Sequence, residues 1–208
     1  MQSDSATHGP FRVKTVLLAI LGALVLASLS GLFLEVVLHR SEAWQSHRLL
    51  ILTVVALFWV DLLLLWRRPG YLKFSRWGVN ATDIVLAVAV GYAAQAVTLF
   101  LWPVPKPSPD WIKVACFVVF GPAVEELFAR GILLRSFLFV WPPWLSIAAV
   151  TILMSLLHDP VTRALLAQCV FCVLYYKRGN SITLSIICHS VTNAVVLFPT
   201  VNLLRPGG

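Results

Sequence analysis

Along this chain, apolar residues run in stretches of about 20, parted by short clusters of polar and basic residues. A helix of that length is what a bilayer crossing requires. The stretches predict helices near 15–38, 49–66, 84–103, 112–139, 144–158, 161–177 and 182–201. The fourth is long and is interrupted by Gly121-Pro122. Proline has no backbone donor and crowds the preceding turn, so a kink or restart is expected there. The fifth opens after Pro142-Pro143, which favour a first helical turn. Trp141 and Trp144 flank that start and suit a membrane–water interface. The pattern predicts an all-α fold, a polytopic transmembrane helical bundle of about seven spans.

Composition agrees. Hydrophobic residues make up 59% of the chain and charged ones 12%, well away from the balance of a soluble domain. No Ser/Gly-rich linker divides it and no repeat stands out. The organisation reads as a polar N-terminal segment 1–14, N-terminal transmembrane helices over 15–110, a helical core over 111–201 and a short tail 202–208. The apolar run Val16 to Leu38 is longer than a signal-peptide core and is followed by further spans, so it is read as a retained first helix.

The net charge of +7 does not point to nucleic acid. Lys and Arg are spread over short loops rather than gathered on one face, which fits anchoring and orientation in a membrane. With the N-terminus on the cytoplasmic side, the inner set is Arg12, Lys14, Arg67, Arg68, Lys73, Arg76, Arg135, Lys177 and Arg178. The outer set is Arg40, Arg48, Lys106, Lys113, Arg163 and Arg205, which is smaller and more dispersed. The four cysteines (Cys116, Cys169, Cys172 and Cys188) lie in apolar runs. No second pair completes Cys169-x-x-Cys172 as a zinc or redox motif. The two thiols are expected to share a helix face as small buried groups.

Candidate chemistry is concentrated in Glu125-Glu126-Leu127-Phe128-Ala129-Arg130 and His189-Ser190-Val191-Thr192-Asn193, with His158 between them. Ionisable groups in apolar segments are costly unless paired or facing water, so they mark functional sites by default. Glu126 and Arg130 are four apart and share a helix face, where they can pair. Glu125 points about 100° away and is free for another neighbour. A partly desolvated carboxylate beside a second one suits a general base. The bland alternative is a helix-end charge cluster with Arg130 snorkelling to the interface. His189 and Asn193 also share a face and offer N–H donors of the kind that hold an oxyanion. The same pair would serve as a helix–helix hydrogen bond. His158 gains weight as the partner a carboxylate needs to activate water.

Depth sets a constraint on these assignments. Seven full crossings put Glu125 about 20 Å from the outer face and His158 about 22 Å from the inner one. Residues of one site must meet, so either a segment falls short of crossing, such as the piece before Pro122, or the count of spans is off.

The order E-E-x-x-x-R, a histidine closing the next span, then H-x-x-x-N in the last span resembles the CPBP family. These are the CAAX-protease and bacteriocin-processing proteins, also called Abi or glutamic intramembrane proteases. The resemblance covers roughly residues 111–201. It implies a metal-independent intramembrane endopeptidase with no cofactor, in which Glu125 and His158 activate a water. His189 and Asn193 would form the oxyanion site, and Glu126 and Arg130 would support it. The implied partners are the bilayer and a membrane-associated protein or peptide substrate. CAAX-like proteins, bacteriocin leaders and C-terminal sorting segments are the substrate classes in such a family. Short extramembrane loops point to a multi-pass protein of a prokaryotic cytoplasmic membrane. One departure is Met154, which stands where the family's F-x-x-x-H motif has phenylalanine. As a flexible apolar residue it is expected to fill the same cavity wall.

Other chemistries are less well matched. There is no H-E-x-x-H, G-x-S-G or G-x-G-D. A zinc site built from Glu125, His158 and His189 is an alternative by ligand type. A transporter or membrane scaffold is another, without the inverted repeats of broken helices that transporters carry. Asp61, in the second span, has no motif around it and is expected either to pair with a polar neighbour or to mark an interface.

Overall fold

The computed structural model describes residues 13–38, 42–67, 78–101, 111–158 and 161–197. The segments 1–12, 202–208 and the ends of the predicted third and seventh spans lie outside the described residues, as do Arg12, Arg40, Arg68, Lys73, Arg76, Lys106 and Arg205. Every element among the described residues is a helix: α1 (Val13–Leu38), α2 (Glu42–Arg67), α3 (Ala81–Leu101), α4 (111–138), α5 (Pro143–Ser155), α6 (Val161–Lys177) and α7 (Ile182–Leu197). These match the seven predicted segments. Only two, Leu18–Val36 and Ala81–Leu101, are long and apolar enough to cross a membrane. Ile51–Trp66, Pro143–Ser155, Ala164–Lys177 and Ile182–Leu197 are apolar but shorter, so seven full spans do not follow from helix length.

Side-chain direction inverts the usual soluble arrangement. On α1, Ala19, Ala23 and Ala27 face inward at a spacing of four, while Leu18, Leu21, Val25, Leu29, Leu32 and Val36 point outward. Small residues inside and large apolar ones outside let backbones approach and leave the apolar surface for lipid. The protein is a membrane protein on these grounds. α1 packs on α2, where Trp59 Nε1 donates to Ser30 Oγ at 3.2 Å.

α3 begins at Asn80, whose Oδ1 accepts from Asp83 N at 2.7 Å, the capping role expected of Asn. Its buried face (Asp83, Ala87, Gly91, Ala94, Gln95 and Thr98) lies mostly against α7. A Cβ on Gly91 would meet the Cys188 carbonyl at 2.5 Å, so glycine is what allows this close approach. Thr192 Oγ1 reaches Gly91 O at 3.3 Å from the other side.

α4 holds the site's acids and is not a plain α-helix. Ala115–Phe120 and Leu127–Leu134 are π-helical, with an α-helical Gly121–Glu126 between them. Instead of a sharp break at Pro122, the backbone stays helical through Phe120 and Gly121 while the hydrogen-bond register changes. Gly121 N–H reaches back five residues to Cys116 O. A Cβ there would sit 2.5 Å from that same oxygen. In this register the next donor, to Phe117 O, would be residue 122, and proline has none.

The depth conflict resolves at the α4–α5 turn. α4 runs on as one helical arm from 111 to 138, so its ends need not sit where equal crossings would put them. The stretch from Glu125 to Leu138 is within one residue of the 13 of α5. The two arms of this hairpin therefore bring Glu125 and His158 level. α6 and α7 are joined by a tight turn in which Gly179 and Asn180 adopt φ of 68° and 60°, conformations these two residue types tolerate best.

Candidate active site

Glu126 and Arg130 have no exposed side-chain surface, and Arg130 Nη1 donates to Glu126 Oε1 at 2.9 Å. Such a pair needs its remaining donors and lone pairs filled. Arg130 Nη2 donates to Gln168 Oε1 at 2.5 Å and to Gln168 O at 3.0 Å. Ser185 Oγ donates to Glu126 Oε2. His189 Nδ1 lies 2.8 Å from Glu126 Oε1, and because a carboxylate accepts, that nitrogen carries the proton. The His189 ring stacks on Phe171 with centroids 4.7 Å apart. The Arg130 guanidinium lies 5.4 Å from the same ring's centroid. Arg130 is thus a buried tie between α4 and α6 rather than a residue snorkelling to the surface.

Glu125 points elsewhere, as its 100° offset requires. Its Oε2 lies 3.6 Å from His158 Nε2 and 3.8 Å from His189 Nε2. Oε2 is buried and has no hydrogen-bond partner among the described residues. At 3.6 and 3.8 Å neither imidazole hydrogen-bonds Oε2 directly. His158 Nδ1 is 2.8 Å from Met154 O, and a carbonyl only accepts, so Nδ1 is protonated and Nε2 is left toward Glu125.

Asn193 Nδ2 donates to Phe117 O at 2.7 Å. It thereby satisfies the carbonyl that Pro122 cannot serve, leaving its second N–H. Glu125, His158, His189 and Asn193 all line one cavity of about 210 Å³, reached by residues of α2, α3, α4, α6 and α7 and by His158 in the turn after α5. Glu125, His158 and His189 are of the right ligand types for zinc. Even so, no group of three His, Cys, Asp or Glu among the described residues has the arrangement of a metal site.

Several expectations are corrected. Met154 does not line the cavity. It is buried with Ala129, Leu134, Val150, Cys172 and Tyr175, and it serves the site through its carbonyl. Of the Cys169–Cys172 pair, Cys169 is exposed and Cys172 is buried, because residues three apart on a helix point about 60° apart and here straddle the edge of the packed face. Cys116 lines the cavity. Arg135, read as a loop charge, is buried. Asp61 is 3% exposed, and neither oxygen has the expected polar hydrogen-bond partner among the described residues.

Sequence reasoning missed Ser185, Gln168, Phe171 and Gln95. Ser185 was within reach, since it sits four residues before His189 and extends the polar stripe through Thr192 and Asn193. Gln168 and Gln95 are isolated polar residues in apolar runs, and only packing shows what they face.

The family model of type II CAAX prenyl endopeptidase Rce1-like proteins matches residues 107–195. The matched segment begins just before α4 and ends within α7, so it spans all six residues singled out in the motifs. No curated protein and no solved structure matches the chain.

Proposed function

We propose that this chain, whose residues 107–195 match the family model of type II CAAX prenyl endopeptidase Rce1-like proteins, is a glutamic-type intramembrane endopeptidase. It is a multi-pass protein of a prokaryotic cytoplasmic membrane, with its N-terminus inside. Its substrate is a membrane-associated protein or peptide, cut within the cavity between α4, α5 and α7. The observation that carries the reading is the buried, unpartnered Glu125 Oε2 set between the Nε2 atoms of His158 and His189 at 3.6 and 3.8 Å.

The steps follow from which atoms donate and accept. A water between Glu125 Oε2 and His158 Nε2 meets two acceptors, which orient both its hydrogens away from the lone pair that attacks. The oxygen adds to the scissile carbonyl carbon as a proton passes to Glu125. The oxyanion is held by His189 Nε2–H and the second N–H of Asn193. His189 Nδ1–H is committed to Glu126, so donating through Nε2 requires both ring protons. Glu126, Arg130 and Ser185 hold the ring for that task. Glu125 then passes its proton to the leaving amine as the C–N bond breaks, releasing an acid and an amine.

Glu125→Gln keeps the side chain's shape but cannot take the proton. Purified protein in lipid should lose more than 90% of kcat/KM while keeping its melting temperature, a loss above about 1.4 kcal/mol. Retained activity would sink the proposal. Zinc held by Glu125, His158 and His189 is the second reading, by ligand type alone. Under the glutamic mechanism, chelators leave activity intact and Asn193→Asp is at least as damaging as Asn193→Ala. Chelator-sensitive activity rescued by zinc would establish the metal reading instead.

A further inference from the structure

One buried polar group faces the same cavity but has no place in that mechanism, and it lies outside the matched segment. Gln95, on α3, is 3% exposed, and its Nε2 has no hydrogen-bond partner among the described residues. It lines the cavity together with Thr192, Asn193 and Val196 of α7. Asp83 at the start of α3 lies 3.7 Å from Arg178 just ahead of α7, and Gly91 further on meets Cys188 and Thr192. The two helices therefore run side by side in the same direction. Gln95, one turn past Gly91, sits about one turn beyond the level of His189, beside Asn193.

The other carboxamide from outside the motifs in this cavity, Gln168, has its Oε1 engaged by Arg130. Gln95 is neutral, with a donor edge and an acceptor edge, the complement of a peptide group rather than of an ion. A buried donor left without an acceptor costs free energy that a ligand carbonyl returns on binding. Resting on the endopeptidase reading, we infer that Gln95 is a substrate-binding residue that donates through Nε2 to a backbone carbonyl of the bound peptide, one or two residues from the scissile bond. The α3 wall would thereby hold the substrate main chain extended past the catalytic group.

The test uses the full chain in lipid nanodiscs. The probes are internally quenched peptides carrying a farnesylated cysteine near the C-terminus. In separate copies, each backbone amide around the scissile bond is replaced by an ester, whose carbonyl is a weaker acceptor. Gln95→Leu should raise KM about tenfold with kcat little changed, the pattern of lost ground-state and transition-state binding alike. One ester should weaken wild-type cleavage severalfold and have no further effect on Gln95→Leu, because the bond it weakens is already gone. The melting temperature of Gln95→Leu should be at or above that of wild type, whereas a purely structural glutamine predicts a fall. If the leucine variant does not fold, Gln95→Met takes its place. Equal ester sensitivity in variant and wild type, or kcat/KM within twofold of wild type, overturns the inference while Glu125-dependent cleavage stands. Absence of any Glu125-dependent cleavage removes the parent reading and this inference with it.

Discussion

Arg130 is the largest fully buried side chain, and its charge is answered by Glu126 at 2.9 Å. Removing one member of such a pair leaves the other uncompensated, typically costing about 3–5 kcal/mol. Arg130→Ala should therefore lower stability strongly, and activity with it, because Glu126 also holds His189. Glu126→Gln combined with Arg130→Gln should recover part of the stability without restoring activity. Denaturant unfolding of wild type, Glu126→Gln, Arg130→Gln and the double variant closes the cycle, and additive single effects would argue against the pair. Asp61 is the opposite case. It is buried with neither oxygen hydrogen-bonded among the described residues, so it bears the cost of desolvation without the return. Asp61→Leu should raise stability by about 1–3 kcal/mol, and a lower melting temperature would show that the carboxyl has a partner.

At the scale of the element, α4 links a proline to a contact of the candidate site. Pro122 leaves Phe117 O without a donor in the π register, and Asn193 Nδ2 fills the gap at 2.7 Å. Pro122→Ala returns a backbone N–H and competes with Asn193 for that oxygen. Stability should hold or rise while kcat falls severalfold, since Asn193 is no longer fixed in place. Unchanged kcat would mean that the tether does not position the amide. Gly121→Ala should be more damaging. Its Cβ would lie 2.5 Å from Cys116 O, a backbone atom that cannot swing aside, so the π turn that aims Glu125 must shift. A loss of both stability and kcat/KM is expected, read from melting curves and peptide cleavage.

For the whole molecule, the outward apolar stripe on α1 makes the membrane a structural partner. Val25 is 60% exposed near the middle of that helix. A basic residue at the centre of a membrane-crossing helix disfavours insertion by about 2.5–3.5 kcal/mol. Val25→Lys should therefore reduce the membrane-inserted fraction of full-length protein, measured by alkaline extraction. Full insertion of the variant would place this stripe away from lipid. Of α1 and α2, only α2 lines the cavity, through Thr53 and Val54. The candidate residues Glu125, His158, His189 and Asn193 come from α4, the turn after α5, and α7.

The sequence by itself determined the seven helical segments, their apolar character and the chemical types at Glu125, Glu126, Arg130, His158, His189 and Asn193. Helical periodicity is local, so the four-residue spacing of Glu126 and Arg130 already placed the two side chains together. Tertiary structure alone decided how far each segment extends, that α4 and α5 are level at Glu125 and His158, and that the helix runs on through Pro122 in a changed register. It also decided the second partners: Gln168 for Arg130, Ser185 for Glu126, Phe117 O for Asn193 and Met154 O for His158. Each of these except Met154 joins residues of different helices. The physical reason is that a lone polar residue in an apolar run carries no sign of what it faces. Its partner is set by how neighbouring helices approach, which here depends on glycines at 91 and 121 and on the length of each arm about the α4–α5 turn.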